Sequence, residues 1–110
     1  MITLPFPPTD LSGHHDVHWR VLQPIKKKHR QWAKDATTAA KITVPKDGDI
    51  RVHVRFVPPD RRGDRVNYPN RMKAYFDGIA DALGVNDRRF LPSYEFCDPK
   101  KPGRVEIEIA

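Results

Sequence analysis

A single cysteine, Cys97, stands in the 110 residues, so no intramolecular disulfide can form. It has no metal-spaced partner and reads as a buried strand residue. No apolar run suggests a membrane span or the core of a signal peptide, so the expectation is a soluble, cytoplasmic protein without a membrane partner. Internal repeats and domain boundaries are missing as well, and residues 1–110 read as one domain. A chain of this length buries about two-thirds of its unfolded surface. Little material is left for a deep pocket, so a site at a surface, or shared across a dimer, is the easier expectation.

What the chain does have is positive charge. Lysine and arginine number 20 against 14 acidic residues, a net charge of +6. That balance favours polyanionic partners, nucleic acid first and a membrane surface second. Eleven prolines fall between periodic segments rather than in one tract, and indicate chain reversals rather than disorder.

Ile2, Leu4 and Phe6 alternate with polar positions, the pattern of a short strand with one buried face. Pro5 inside it implies an edge position or an early strand end. Residues 9–23 show no clean period. His14, His15, Asp16 and His18 cluster there, but no downstream cysteine or histidine pair completes a zinc pattern, and an exposed loop touching DNA is the expectation. A helix is expected from about Pro24, with Ile25, His29, Trp32, Ala36 and Ala39 as its apolar stripe and Lys27, Arg30 and Lys34 as a basic row. That row is either a solvated surface or a DNA contact, and Trp32 belongs to the core. Asp49 to Val57 is the clearest strand: Ile50, Val52, Val54 and Phe56 face one way, and Arg51, His53 and Arg55 face a solvated or phosphate-contacting side. A second helix is expected over Tyr68 to Leu83, burying Met72, Phe76, Ile79, Ala80 and Leu83, with Gly84 as its stop. Leu91 to Cys97 and Arg104 to Ile109 are strands, joined through Pro99 to Gly103 as a hairpin. The order β-α-β-α-β-β predicts an α+β domain with two helices packed on one mixed sheet.

The chemistry concentrates in Pro58-Pro59-Asp60-Arg61-Arg62-Gly63-Asp64-Arg65-Val66-Asn67-Tyr68-Pro69, with Asn86-Asp87-Arg88-Arg89 after the second helix. Hydrolysis of a phosphodiester needs neutralised phosphate charge and an activated water. Hard cations such as Mg²⁺ supply both and prefer carboxylate oxygens. Asp64 and Asp87 are natural ligand candidates, and a nearby lysine or arginine can steady the transition state. Equally, these aspartates can cap helices or pair with arginines, and spacing alone favours that. A helix over residues 68–83 would separate its ends by about 24 Å, unless the flanking loops fold back.

In order and spacing these motifs resemble the RusA family of Holliday junction resolvases. Ile2-Thr3-Leu4-Pro5-Phe6-Pro7-Pro8 is similar to that family's N-terminal strand and double-proline turn, and Pro59 to Asp64 to its Pro-Asp-Arg-Arg run before an aspartate. Asn67, Lys73 and Asp77-Gly78 resemble its Asp-x-Asp-Asn motif, helix lysine and Asp-Gly/Ala pair, Asn86-Asp87 its Asp-Asp pair, and Gly103-Arg104 with the final strand its C-terminal end. The resemblance implies a homodimeric, Mg²⁺-dependent endonuclease (Mn²⁺ serving as well) that resolves branched double-stranded DNA in recombination and repair, in a phage or prophage setting. It implies Asp64, Asp87 and Lys73 as catalytic, and Asp64, Asp87 and Asn67 around the metal. Arg61, Arg62, Arg65, Arg88, Arg89, Lys27, Arg30 and Lys34 would contact DNA. The chain departs from the pattern at Val66, where a metal-binding aspartate is expected, and at Asn86. Asp60 or Glu95 could substitute, water could fill the gap, or the protein could be a catalytically impaired RusA-like module that binds DNA without cutting it. A basic RNA-associated or assembly protein is the third class.

Overall fold

The computed structural model describes residues 1–13 and 18–110. Its elements are β1 (Ile2–Pro5), α1 (Trp19–Ala40), β2 (Ile50–Val57), α2 (Lys73–Leu83), β3 (Phe90–Phe96) and β4 (Arg104–Ile109), with short 3-10 turns between them. The strands form one sheet in the order β1-β4-β2-β3. β1 and β2 both run antiparallel to β4, while β3 runs parallel to β2. The sheet is therefore mixed and carries two helices, the α+β arrangement expected from the periodicity. β1 lies at an edge, where Pro5 costs no internal hydrogen bond.

The core sits between the helices and the inner sheet face. Ile50, Val52, Val54 and Phe56 of β2 are fully buried there, with Val105 and Ile107 of β4 and Ile2 and Leu4 of β1. Each such aliphatic or aromatic side chain contributes about 1.5–3 kcal/mol on burial. Tyr75 and Met72, also fully buried, complete the helix side. The Tyr75 hydroxyl donates to the Pro5 carbonyl oxygen at 2.6 Å, which ties α2 to β1.

Four expectations are corrected. First, α1 begins at Trp19, not at Pro24. The His18 ring accepts from the Arg20 N–H at 3.1 Å and caps the helix. Pro24 therefore lies inside α1, in its second turn, where its missing N–H leaves the Arg20 carbonyl oxygen without the usual i to i−4 bond. The buried line is His29, Ala33 and Thr37, and Ala39 is exposed. Second, α2 begins at Lys73 rather than Tyr68. The chain before it takes two 3-10 turns, Arg65–Asn67 and Pro69–Met72. Pro69 lacks an N–H, and Tyr68 is drawn into the core between Phe6 and Phe56, at ring distances of 5.0 and 5.7 Å. Third, Pro99 to Gly103 is not a hairpin, because β2 lies between β3 and β4. The connection passes the end of β2, where the Lys100 N–H donates to the Pro58 carbonyl oxygen at 2.8 Å. Fourth, Cys97 follows β3 and is half-buried instead of lying within a buried strand.

Gly78 sets the distance between the helices. A Cβ there would lie 2.1 Å from the Arg30 carbonyl oxygen and 2.9 Å from the Ala33 Cβ. Glycine is the residue that lets the two backbones approach this closely.

Candidate functional site

The shortened second helix changes where its flanking residues meet. α2 has 11 residues, about 16 Å at 1.5 Å per residue. Gly84 ends it in the left-handed conformation at φ 65°, and the chain turns back into the 3-10 turn Asp87–Arg89. Asp87 thereby comes alongside α2. The Lys73 ammonium lies 2.9 Å from Asp77 Oδ1 and 2.5 Å from Asp87 Oδ2. The lysine bond to Asp87 raises the Lys73 pKa, with a further contribution from Asp77. The same contact holds the Asp87 carboxyl below its ordinary range. At neutral pH both are charged. Asp77 is the member of this group that sequence reasoning left out of the site. Its i, i+4 spacing from Lys73 was the available signal.

Asp64 and Asn67 lie on the 3-10 turn before α2. Asp64 Oδ1 accepts from the Val66 N–H at 3.0 Å and caps that turn. Val66 itself is 80% exposed. Asp64, Asn67 and Asp60 line a cavity of about 570 Å³, which Asp87 does not border. Asp87 is grouped with Lys73 and Asp77 instead. Among the described residues no group of three or more histidine, cysteine, aspartate and glutamate side chains stands ready for a metal ion. Of the carboxylates that could replace the missing acid, Asp60 is bound by Arg62 at 2.8 Å. Glu95 lies on the outer sheet face with His53 and Arg55.

The cationic residues divide into three kinds. Arg61, Arg65 and Arg88 are exposed. Arg62 is engaged by Asp60, and Arg30 by Asp81 in a two-bond fork of 2.6 and 2.9 Å. Arg89 is a structural clamp: its Nε and Nη2 donate to the Gly48 and Pro45 carbonyl oxygens at 2.9 and 2.7 Å. Lys27 and Arg30 of α1 border a second cavity, of about 850 Å³, together with Lys26, Lys73 and Asp77. Lys34 lies on the same side of α1, where its charge helps hold the Asp81 carboxyl down after the larger effect of Arg30. Of the row expected from the sequence, Lys27 and Arg30 thus line the groove between the two helices, and Lys34 does not. His18 caps α1, while His14, His15 and Asp16 lie outside the described residues.

One arginine behaves unlike all of these. Arg71 is 7% exposed and borders both cavities. Its position follows from the 3-10 turn, where residues three apart eclipse. Its guanidinium lies 5.1 Å from the Tyr68 ring and 5.8 Å from Phe6. Nη1 donates to the Pro7 carbonyl oxygen at 3.2 Å, while Nε is buried without a hydrogen-bond partner. Among the described residues no carboxylate lies within ion-pair distance of it. Ring faces contribute about 0.5–2 kcal/mol and a carbonyl bond to a charged group about 1.5–3 kcal/mol, against a burial cost of several kcal/mol for an ion. Desolvation accordingly lowers its pKa. The sequence signal for it was an arginine on the Tyr68-Met72-Tyr75 apolar face.

The chain is 39% identical over 113 residues to an uncharacterized protein of Xylella fastidiosa (strain Temecula1 / ATCC 700964), a match that covers 98% of this chain and 74% of that one. The chain belongs to the same family as that protein. No protein-family model matches it. The shared family brings no activity with it, so the chemistry has to be argued from the residues.

Proposed function

We propose that the protein is a RusA-like, metal-dependent nuclease that acts on branched duplex DNA as a homodimer. The observation that carries this reading is the convergence of Asp77 and Asp87 on the Lys73 ammonium beside the basic row of α1. The Lys73 ammonium now bonds both carboxylates, and Mg²⁺, which takes a carboxylate or two together with several waters and substrate phosphate oxygens, would bind them in its place. Asp77 and Asp87 would hold it, with Asp64 and Asn67 on the adjoining cavity. When bound, the ion supplies phosphate charge neutralisation and a more acidic water.

The chain's own groups do the rest. Lys73 stays protonated at neutral pH and brings positive charge to a pentacovalent phosphate. Asp87 stays ionised beside it. Lys27 and the exposed Arg61, Arg65 and Arg88 grip the backbone, so affinity falls steeply with salt. A four-way junction has approximate two-fold symmetry and needs two matched cuts, which a C2 dimer supplies.

The purified protein, incubated with a four-way junction and Mg²⁺, should cut it, and Asp87→Asn should not. Uncut junction at every metal concentration and pH would sink the nuclease reading. A second reading, junction binding without cleavage, is favoured by exposed Val66 and by the lack of a third acid among the described residues. Cleavage that appears only in Val66→Asp would support it.

A further inference from the structure

We propose that the Arg71 guanidinium is the receptor of an anion site, and that its ligand is a phosphodiester group. Four observations converge. The side chain is buried, it lacks a carboxylate partner among the described residues, its Nε is unfilled, and it borders both cavities of the face that carries Asp64, Asn67 and Lys73. A charge kept in such surroundings is completed by a counter-charge from outside, and the planar fork of guanidinium matches two phosphate oxygens.

The neighbours narrow the ligand. Asp60 and Asp64 line the same cavity, which disfavours a dianion. Asp60 is already neutralised by Arg62, and one Asp64 oxygen accepts from the Val66 N–H, so a monoanion is tolerated. A cavity of about 570 Å³ is wide enough for more than a bare ion. Thr9 and Asn67 on its wall offer neutral polar groups to a diester's substituents. The Tyr68 and Phe6 rings that hold the guanidinium fix its plane, so the receptor is preorganised. That the diester belongs to a DNA strand rests on the nuclease reading. The anion site itself does not.

The test uses the whole chain and a dinucleoside monophosphate, thymidylyl-thymidine, titrated at fixed ionic strength by calorimetry and thermal melting. Its control is the uncharged methylphosphonate analogue. The charged compound should bind saturably and raise Tm, and the neutral analogue should do neither. Arg71→Met and Arg71→Lys should each weaken binding at least tenfold. Arg71→Met should keep or raise Tm in ligand-free buffer, because an uncompensated charge has been removed. Equal binding of the charged and neutral compounds would overturn the site, as would full affinity in Arg71→Met. If Arg71→Met does not fold, Arg71→Lys decides: it keeps the charge and loses the fork, and unchanged affinity there refutes the proposal. Junction competition separates the sources. Displacement of a bound junction by the dinucleotide assigns the site to the DNA backbone. Dinucleotide binding without any junction binding would leave the anion site standing and remove the DNA reading.

Discussion

On the outer face of the sheet, Arg55 lies 3.0 Å from Glu106 and 3.4 Å from Glu95, and Arg104 lies 2.7 Å from Glu106. His53 joins them, 2.6 Å from the Ser93 hydroxyl and 3.2 Å from Glu95. Around the two helices Lys73 is shared by two carboxylates, while, among the described residues, Lys27 has no ion-pair partner and buried Arg71 has no carboxylate. The residue types are similar and the outcomes differ. Across strands, acid and base face each other in register, as in the pairs Arg55↔Glu95 and Arg55↔Glu106. The charges of His53 and Arg55 are engaged locally, so that part of the expected phosphate-contacting face of β2 is taken up by its own neighbours, while Arg51 stays exposed. Near the helices the charges outnumber their partners, and a polyanion finds unspent positive field there.

The comparison breaks most visibly at Asp87. Asp87→Asn should lower junction cleavage by at least about 100-fold, more than the loss of a group that merely supports a metal ligand. Glu106→Gln on the outer face should leave cleavage within about twofold by the same reasoning. A time course of junction products on denaturing gels measures both.

Next in size is the spacing that forms the groove. Gly78→Ala places a Cβ 2.1 Å from the Arg30 carbonyl oxygen. Better helix propensity returns at most about 1 kcal/mol, while overpacking against backbone costs about 1–3 kcal/mol or more. A net loss of roughly 2 kcal/mol is expected by urea unfolding. An unchanged midpoint would show that the helices part without cost.

Salt dependence sharpens the comparison further. Lys27→Ala should reduce the log–log salt slope of junction binding by about 1. Arg55→Ala should leave that slope unchanged. Equal effects would mean that both faces meet the DNA.

The smallest effect is on pH-dependent stability. Asp87 has a lowered folded pKa because Lys73 bonds it. Its contribution is complete above the unfolded carboxylate value of about 3.9, and is lost as pH falls through the lower folded value. Lys73 has a raised folded pKa because Asp87 and Asp77 bond it. Its contribution is complete below about 10.4 and is lost as pH rises through the higher folded value. For so exposed a pair the effect is about 0–1 kcal/mol. Asp87→Asn should flatten both limbs of a Tm-against-pH curve. Glu106, held down by Arg104, should affect only the acid limb, because arginine does not titrate in that range.

Much of the fold was legible because alternation along β2 and β4 and the stripe of α2 are local patterns. The N-terminal part of α1 was not, because its start rests on a histidine cap and it runs through Pro24. Nor was the 3-10 entry to α2, which depends on Tyr68 entering the core. Of the candidate site, Lys73 was singled out through the family resemblance and Asp87 through the crowding of acid and base after α2. Their contact was not legible, since a helix starting at Tyr68 would have held its two ends apart.

By itself the sequence determined the two periodicities, the excess of positive charge, the single cysteine and the loop in which acid and base crowd together. These are properties of composition and of neighbours along the chain. Only the folded arrangement decided that Arg55 of β2 is paired across the sheet, that Asp87 returns to Lys73, and that Arg71 is enclosed without a counter-charge among the described residues. Each of those depends on residues distant in sequence brought within a few ångströms, where Coulomb attraction and desolvation become strong and no local pattern records them.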